Sequence, residues 1–212
     1  RKHGLKLGLY YSLIDWSDNR YPNITRTDTR YAIKDDSARW KSFVDFDFAQ
    51  LHELNGFKPD LYWFDGDWEQ TAEDWHASEL VQMLRKANKN VIVNSRIQGY
   101  GDYATPEQGV PVVRPEDKYW ELCMTMNDSW GYQHADTNYK SPYILLRTFV
   151  DCLSIRLVIT IRHFDTSFTI QRYPIYTTAR NSECNSRSTT IHSLCQSYTE
   201  CFILGDRWES KD

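Results

Sequence analysis

The 212-residue sequence lacks most of the features that announce a chemistry at first sight. No apolar run approaches the roughly 18 residues that a helix needs to cross a bilayer, which excludes a helical membrane channel. Basic excess is absent: the net charge is −4 and the pI near 5.9, which argues against a nucleic-acid-binding surface. Cys-x-x-Cys spacing is missing, and the cysteines (Cys123, Cys152, Cys184, Cys195 and Cys201) are odd in number. They read as buried thiols rather than zinc ligands. The histidines show no metal-ligand spacing, and no glycine-rich dinucleotide loop, Walker loop or nucleophile-elbow serine occurs. The chain opens Arg-Lys-His-Gly without an initiator Met or a charged-then-apolar leader, and so reads as an interior piece of a longer polypeptide.

What the sequence has in surplus is aromatic side chains. Eight Trp, 14 Tyr and nine Phe make up 15% of the chain, which suits a sugar-stacking site and a large core equally. Hydrophobic residues at 41% and charged residues at 25% give the balance of a soluble globular chain, so there is core enough to fold.

Up to about residue 152, strand-like and helix-like segments alternate. Leu5 to Ser12 reads as a buried strand, and residues 17–35 as a long polar loop. Ala38 to Asn55 has a helical period with Gly56 as C-cap. Leu61 to Asp65 is the next strand, and Thr71 to Asn88 a helix with Ala77, Leu80, Val81 and Leu84 on one face. Val91 to Asn94 is a strand, 98–109 a Gly-rich loop, and Trp120 to Thr125 another strand. Ser141 to Leu153 opens with Ser-Pro, an N-cap and N1 pair, and reads as a helix. Such alternation implies βα units around a parallel sheet.

After Ser154 the composition changes. The last 60 residues hold 16 Ser or Thr, as many as the preceding 152, with a single Gly and a single Ala. Residues 1–154 are therefore expected to form one α/β domain. Residues 155–212 are expected to be an anomalous tail, poorly ordered or translated out of frame.

Chemistry in βα folds collects at the C-terminal ends of the strands. Asp65 stands at such an end, before Gly66, which lets the backbone turn without covering the carboxylate. Trp63, two positions back, shares its face. A carboxylate beside an indole can hold a sugar ring over a nucleophile, although Asp before Gly is also an ordinary turn former. Glu107, in a Thr-Pro-Glu loop, gains weight from pairing, because glycoside hydrolysis needs a nucleophile and a proton donor. Glu121, after Trp120 on a strand, is the rival donor, since a charge there must be paired or functional. Arg96, at the end of Val-Ile-Val-Asn-Ser, is either a substrate clamp or a salt-bridge partner. Asn23-Ile-Thr25 and Asn127-Asp-Ser129 match the glycosylation sequon.

Three separated motifs lie in a telling order: Arg1-Lys-His-Gly-Leu-Lys-Leu-Gly-Leu-Tyr-Tyr-Ser12 with Trp16, Pro59-Asp-Leu-Tyr-Trp-Phe-Asp-Gly-Asp-Trp-Glu69, and Trp120-Glu-Leu-Cys-Met-Thr125 with Trp130-Gly-Tyr132. Over residues 1–154 they resemble the retaining α-L-fucosidases of glycoside hydrolase family 29. The resemblance implies a (β/α)8-like barrel with its N-terminal strands missing, and removal of terminal α-L-fucose from a glycan or glycoconjugate through a covalent intermediate. It implies no metal, and no cofactor is expected; charge and run length already argue against nucleic acid and membrane. It maps the nucleophile to Asp65, the acid/base to Glu107 or alternatively Glu121, and substrate contacts to Tyr11, Trp63 and Arg96. A catalytically dead fucose-binding relative, or another retaining barrel glycosidase such as an α-galactosidase, is the alternative. With earlier barrel strands missing, the edge at Leu5–Ser12 is expected to lie open and the chain alone to be inactive.

Overall fold

The computed structural model describes residues 5–111, 119–154, 158–163, 166–170 and 201–202. The chain divides into two compact units, Arg1–Thr105 with Thr199–Asp212, and Pro106–Tyr198. Both are built from strands and helices, so the architecture is α/β with a partial parallel sheet. Most of the stretch expected to be an anomalous tail lies outside the described residues.

In the first unit β1 (Gly8–Ser12) pairs in parallel with β2 (Leu61–Asp65), which pairs in parallel with β3 (Ile92–Val93). Two helices connect them: α1 (Ser37–Asn55) follows β1, and α2 (Ala77–Ala87) follows β2. β2 is apolar on both faces until Asp65, as a strand in the middle of a parallel sheet should be. The outer edge of β1, expected to lie open, is paired at its first two residues only. Gly8 and Leu9 pair antiparallel with Phe202 and Cys201 of a short strand, numbered β7 in chain order because three further strands precede it.

Asp36 caps α1 by accepting from the Arg39 N–H at 3.1 Å. Trp40, Phe43, Val44, Asp47 and Leu51 then recur at helical spacing and are buried. The C-cap falls on Gly56 as expected, but in right-handed conformation, and the positive φ is taken by Lys58. α2 begins six residues later than its period suggests. The Thr71 hydroxyl bonds Asp74 Oδ2 at 2.9 Å and accepts from the Asp74 N–H at 3.1 Å, closing a local turn that competes with helix. His76 follows in left-handed conformation, and only then does the face of Ala77, Leu80, Val81 and Leu84 enter the core.

The segment read as a polar loop is more than that. Tyr21 is fully buried and packs edge-on against Trp40 and Phe43 and stacked on Trp75. The Arg30 guanidinium ties the loop together by donating to the carbonyls of Trp16, Tyr21 and Asn23.

In the second unit β4 (Glu121–Thr125) pairs in parallel with β5 (Val158–His163), which pairs antiparallel with β6 (Thr166–Ile170). Helix α3 (Pro142–Ser154) intervenes, with the Ser141 hydroxyl accepting from the Ile144 N–H at 3.3 Å. Cys123 and Cys152 are buried, and burial pushes the Cys152 thiol up to about 12. Among the described residues no helix is long and apolar enough to cross a membrane.

Asp47 is the odd member of the core, 5% exposed, with no hydrogen-bond partner for its Oδ2 among the described residues. Burial foremost pushes its carboxyl up to about 8; Asp15 and Asp18 add to the rise, while the Tyr11 hydroxyl and Arg20 oppose it. The folded state thus holds a proton that the unfolded chain, near 3.8, releases. Stability from this group is present below about pH 4 and lost as pH rises toward about 8. The urea midpoint, followed by tryptophan fluorescence, should fall across that window, and Asp47→Asn should flatten the fall and raise the midpoint at its alkaline end. An unaltered slope in the variant would remove Asp47 as its source.

Candidate active site

Strand alternation decides what meets at the end of the first unit's sheet. β1 and β2 pair Tyr10 with Trp63 and Ser12 with Asp65, so these four side chains share one face. Tyr10 and Trp63 stack with ring centroids 5.6 Å apart. The Tyr10 hydroxyl donates to Asp65 Oδ2 at 2.7 Å, and Arg96 Nη1 pairs with Asp65 Oδ1 at 2.7 Å. Each oxygen of the carboxylate therefore has its own donor, which fixes its plane. Asp65 keeps 23% of its side chain exposed, enough to be reached.

Arg96 is itself tightly held. Its Nε donates to Thr105 Oγ1 at 2.9 Å and its Nη2 to the Thr105 carbonyl at 3.1 Å. Its guanidinium carbon lies 4.6 Å from the Trp63 ring centroid, a cation–π contact. The loop that carries it is anchored at two points, to β2 and to the turn that follows it. The Asn94 side chain exchanges hydrogen bonds with the Phe64 N–H and carbonyl, both at 2.9 Å, extending the ladder as another strand would. Asp67 accepts from the Gln98 N–H at 2.6 Å, and burial raises its carboxyl above the usual range. Gly101 crosses so near β3 that a Cβ there would lie 2.0 Å from the Asn94 carbonyl oxygen. Gly66, at φ +86°, turns the chain after Asp65 against Ile14, whose Cγ1 would be 2.7 Å from an added Cβ.

Among the residues expected at the site, the structure thus brings Asp65, Trp63 and Arg96 together. Tyr11 lies on the opposite face, where its hydroxyl donates to Asp47 and to Gln50 of α1, and burial first and Asp47 second raise its pKa. Tyr10 is the strand tyrosine that reaches Asp65, a distinction that alternation from Asp65 through the parallel register would have made. Glu107 and Glu121 belong to the second unit. Glu107 is exposed and its backbone bridges to Cys123 of β4, whereas Glu121 is 8% exposed at the start of β4.

Sequence reasoning also passed over Glu69. Its carboxylate accepts from the Trp16 indole at 3.1 Å, the Tyr21 hydroxyl at 2.7 Å and Asn23 Nδ2 at 2.9 Å. It pins the loop after β1 to the turn after β2, and it engages the amide of the first sequon. Burial and this bond raise the Tyr21 hydroxyl pKa. The signal was a lone carboxylate beside a Trp in an aromatic-rich run. Among the described residues no group of three His, Cys, Asp or Glu is placed to hold a metal ion.

An α/β unit with a reachable carboxylate at a strand end, flanked by an indole, a phenol and a guanidinium, has the form of a carbohydrate-processing site. Comparison with known proteins sharpens this: the family model for alpha-L-fucosidase matches residues 1–157, and the chain belongs to that family. An alpha-L-fucosidase of Branchiostoma floridae is 31% identical over 147 residues, covering 63% of this chain and 30% of the relative. The tissue alpha-L-fucosidase of Bos taurus is 29% identical over 162 residues, 68% of this chain and 32% of the relative. Alpha-L-fucosidase isoenzyme 1 from Paenibacillus thiaminolyticus superposes with a TM-score of 0.64 at 31% identity, over 76% of this chain and 44% of that one. The chain spans about a third of the length of the curated relatives it matches.

The two strand tyrosines should separate cleanly on substitution. Tyr10→Phe should lower turnover of a fucoside by roughly tenfold or more, since it frees one Asp65 oxygen from its donor. Tyr11→Phe should change the unfolding midpoint and leave turnover nearly intact. Equal kinetic loss in both would show that the Asp65 face is not where substrate reacts.

Proposed function

We propose that this chain carries the nucleophile-bearing part of a retaining exo-α-L-fucosidase, within a (β/α)8-like barrel, acting on terminal fucose of a glycan or glycoconjugate. The observation that supports this most is the arrangement at Asp65: a partly exposed carboxylate aligned by Tyr10 and Arg96 beside the Trp63 ring. In the first step Asp65 attacks the anomeric carbon, the bond to the glycosidic oxygen breaks, and a protonated glutamic acid gives that oxygen its proton. In the second step the resulting glutamate takes a proton from water, whose oxygen attacks the same carbon and releases Asp65. Two inversions leave the configuration unchanged. Arg96 and Tyr10 hold the attacking carboxylate and take up its charge when it returns as leaving group.

For the acid/base we favour Glu107 over Glu121. An exposed carboxyl on a loop can meet the leaving oxygen from outside the sugar pocket, whereas Glu121 is enclosed at a strand. Fucose is held by the aromatic face and the Arg96 guanidinium, with no cofactor invoked.

The test is kinetic, on the full-length product of the gene. Asp65→Asn should cut the rate by roughly 10³-fold or more, with partial rescue by azide. Turnover near that of the parent would take Asp65 out of the mechanism. Glu107→Ala should impair substrates with poor leaving groups most and respond to azide with an activated aryl fucoside. Glu121→Ala should show no such rescue. The reverse pattern would transfer the role to Glu121.

A further inference from the structure

Among the described residues four that are not glycine hold a positive φ: Lys58, His76, Gln98 and Gln108. Lys58 lies just after α1 and His76 at the start of α2, so both belong to helix ends. Gln98 is tied to Asp67 by its N–H and its side-chain amide. Gln108, at φ +61°, sits in a tighter bend. The Gly109 N–H donates to the Glu107 carbonyl at 2.8 Å, closing a three-residue turn with Gln108 at its centre. A γ-turn of positive φ is the rare and strained kind. Glycine would adopt it without steric cost, yet the glycine stands one place later, with open space where a Cβ would lie. The strain falls instead on a residue with a long amide side chain, which points to a use for that side chain.

The Gln108 side chain reaches back to β4. Its Oε1 lies 3.4 Å from the Thr125 backbone nitrogen and 3.3 Å from the Thr125 hydroxyl oxygen, and accepts at the last residue of the strand. Thr125 is fully buried and is itself fixed: Lys140 Nζ donates to its carbonyl at 2.8 Å and to its hydroxyl oxygen at 3.1 Å. The backbone on either side of Glu107 is bound to the same strand. The Cys123 N–H donates to the Pro106 carbonyl at 3.0 Å, and the Gln108 N–H to the Cys123 carbonyl at 2.8 Å. Glu107 is thus an exposed residue on a segment clamped to β4 before it and after it.

We propose that Gln108 is a positioning residue for the acid/base: its side chain fastens the strained turn to the end of β4 and so fixes the direction from which Glu107 delivers its proton. The assignment rests on the role given to Glu107 above. Proton transfer needs the donor within roughly 2.6–3.2 Å of the leaving oxygen, and a misplacement of about 1 Å can cost about a hundredfold. The backbone bonds to Cys123 set where the segment lies. They leave the turn after Glu107 free to relax out of its strained form, and the Gln108 amide opposes that relaxation.

The experiment uses the full-length product with two variants. Gln108→Ala removes the anchor and keeps the strained backbone, whereas Gln108→Gly removes the anchor and accepts the turn without steric cost. The ratio kcat/KM is measured for methyl α-L-fucoside, whose leaving oxygen needs a proton, and for chloronitrophenyl α-L-fucoside, whose leaving group departs unaided. Both variants should lose roughly tenfold on the methyl fucoside and less than about twofold on the aryl one. A merely structural role would lower both alike. Equal loss on the two substrates, or a methyl fucoside rate retained by either variant, overturns the positioning role while Glu107 keeps its own. If Glu107→Ala in the same assay loses equally on both substrates, the acid/base reading falls, and the role of Gln108 with it.

Discussion

The parallel pairing of β1 with β2, from Gly8 opposite Leu61 to Ser12 opposite Asp65, is the constraint on which the rest of the first unit depends. It sorts the strand side chains between two environments. Leu9, Tyr62 and Phe64 join Leu13, Val93 and the helices in one apolar core, with Tyr11 at its margin. Tyr10, Trp63 and Asp65 are left on the other face. A slip of one residue would exchange the sets, putting Asp65 into the core and Phe64 at the reactive surface. Each large side chain in the core contributes about 1.5–3 kcal/mol on burial, so several together lock the register. The packing of the apolar face is thus what positions the carboxylate on the opposite one.

That carboxylate is held by a design in which each partner is itself held. Arg96 alone would be a mobile cation, able to pair with Asp65 from many directions. Thr105 takes two of its donor groups and Trp63 covers its plane, so a single Nη1 remains directed at Asp65. The loop carrying it is fastened through Asn94 and Gln98 to β2 and to the turn beyond it. A nucleophile gains from such preorganisation because its charge changes twice in a double displacement, and fixed donors need no rearrangement either time. The pair keeps only 14% and 23% of its side chains exposed, so the Tyr10 and Thr105 hydrogen bonds are needed to offset the cost of taking both charges largely out of water.

How much of this was legible in the sequence follows from which forces are local. The strand Leu61–Asp65 and the buried face of α2 were readable because periodicity directly records burial. Asp65, Trp63 and Arg96 stood out as polar or aromatic groups at strand ends. Tyr10 and Tyr11 are chemically identical neighbours, and only the cross-strand register separates them. The start of α2 depended on a side-chain turn at Thr71 that outcompeted the helix. Tyr21 and Glu69, 48 residues apart, form a hydrogen bond that no local pattern encodes. What escaped was side-chain hydrogen bonding and cross-strand register; what was legible was the periodicity of burial and the polar groups that interrupt it at strand ends.

The stretch after Ser154 shows the same distinction from the other side. Its change in composition is real, yet backbone pairing continues into it: Val158–Arg162 matches Glu121–Thr125 residue for residue, and Ile159–His163 pairs with Thr166–Ile170. Val, Ile and Thr predominate in β5, and β-branched residues suit a strand whatever the composition around them. A strand needs only a short run of such residues and a partner with unpaired backbone groups, so a segment poor in Gly and Ala can still extend a sheet. The antiparallel contact of Cys201–Phe202 with β1 is the minimal case, reaching only Gly8 and Leu9. Composition therefore reports where the character of the chain changes, while pairing reports where backbone hydrogen bonds can be satisfied, and the two boundaries need not coincide.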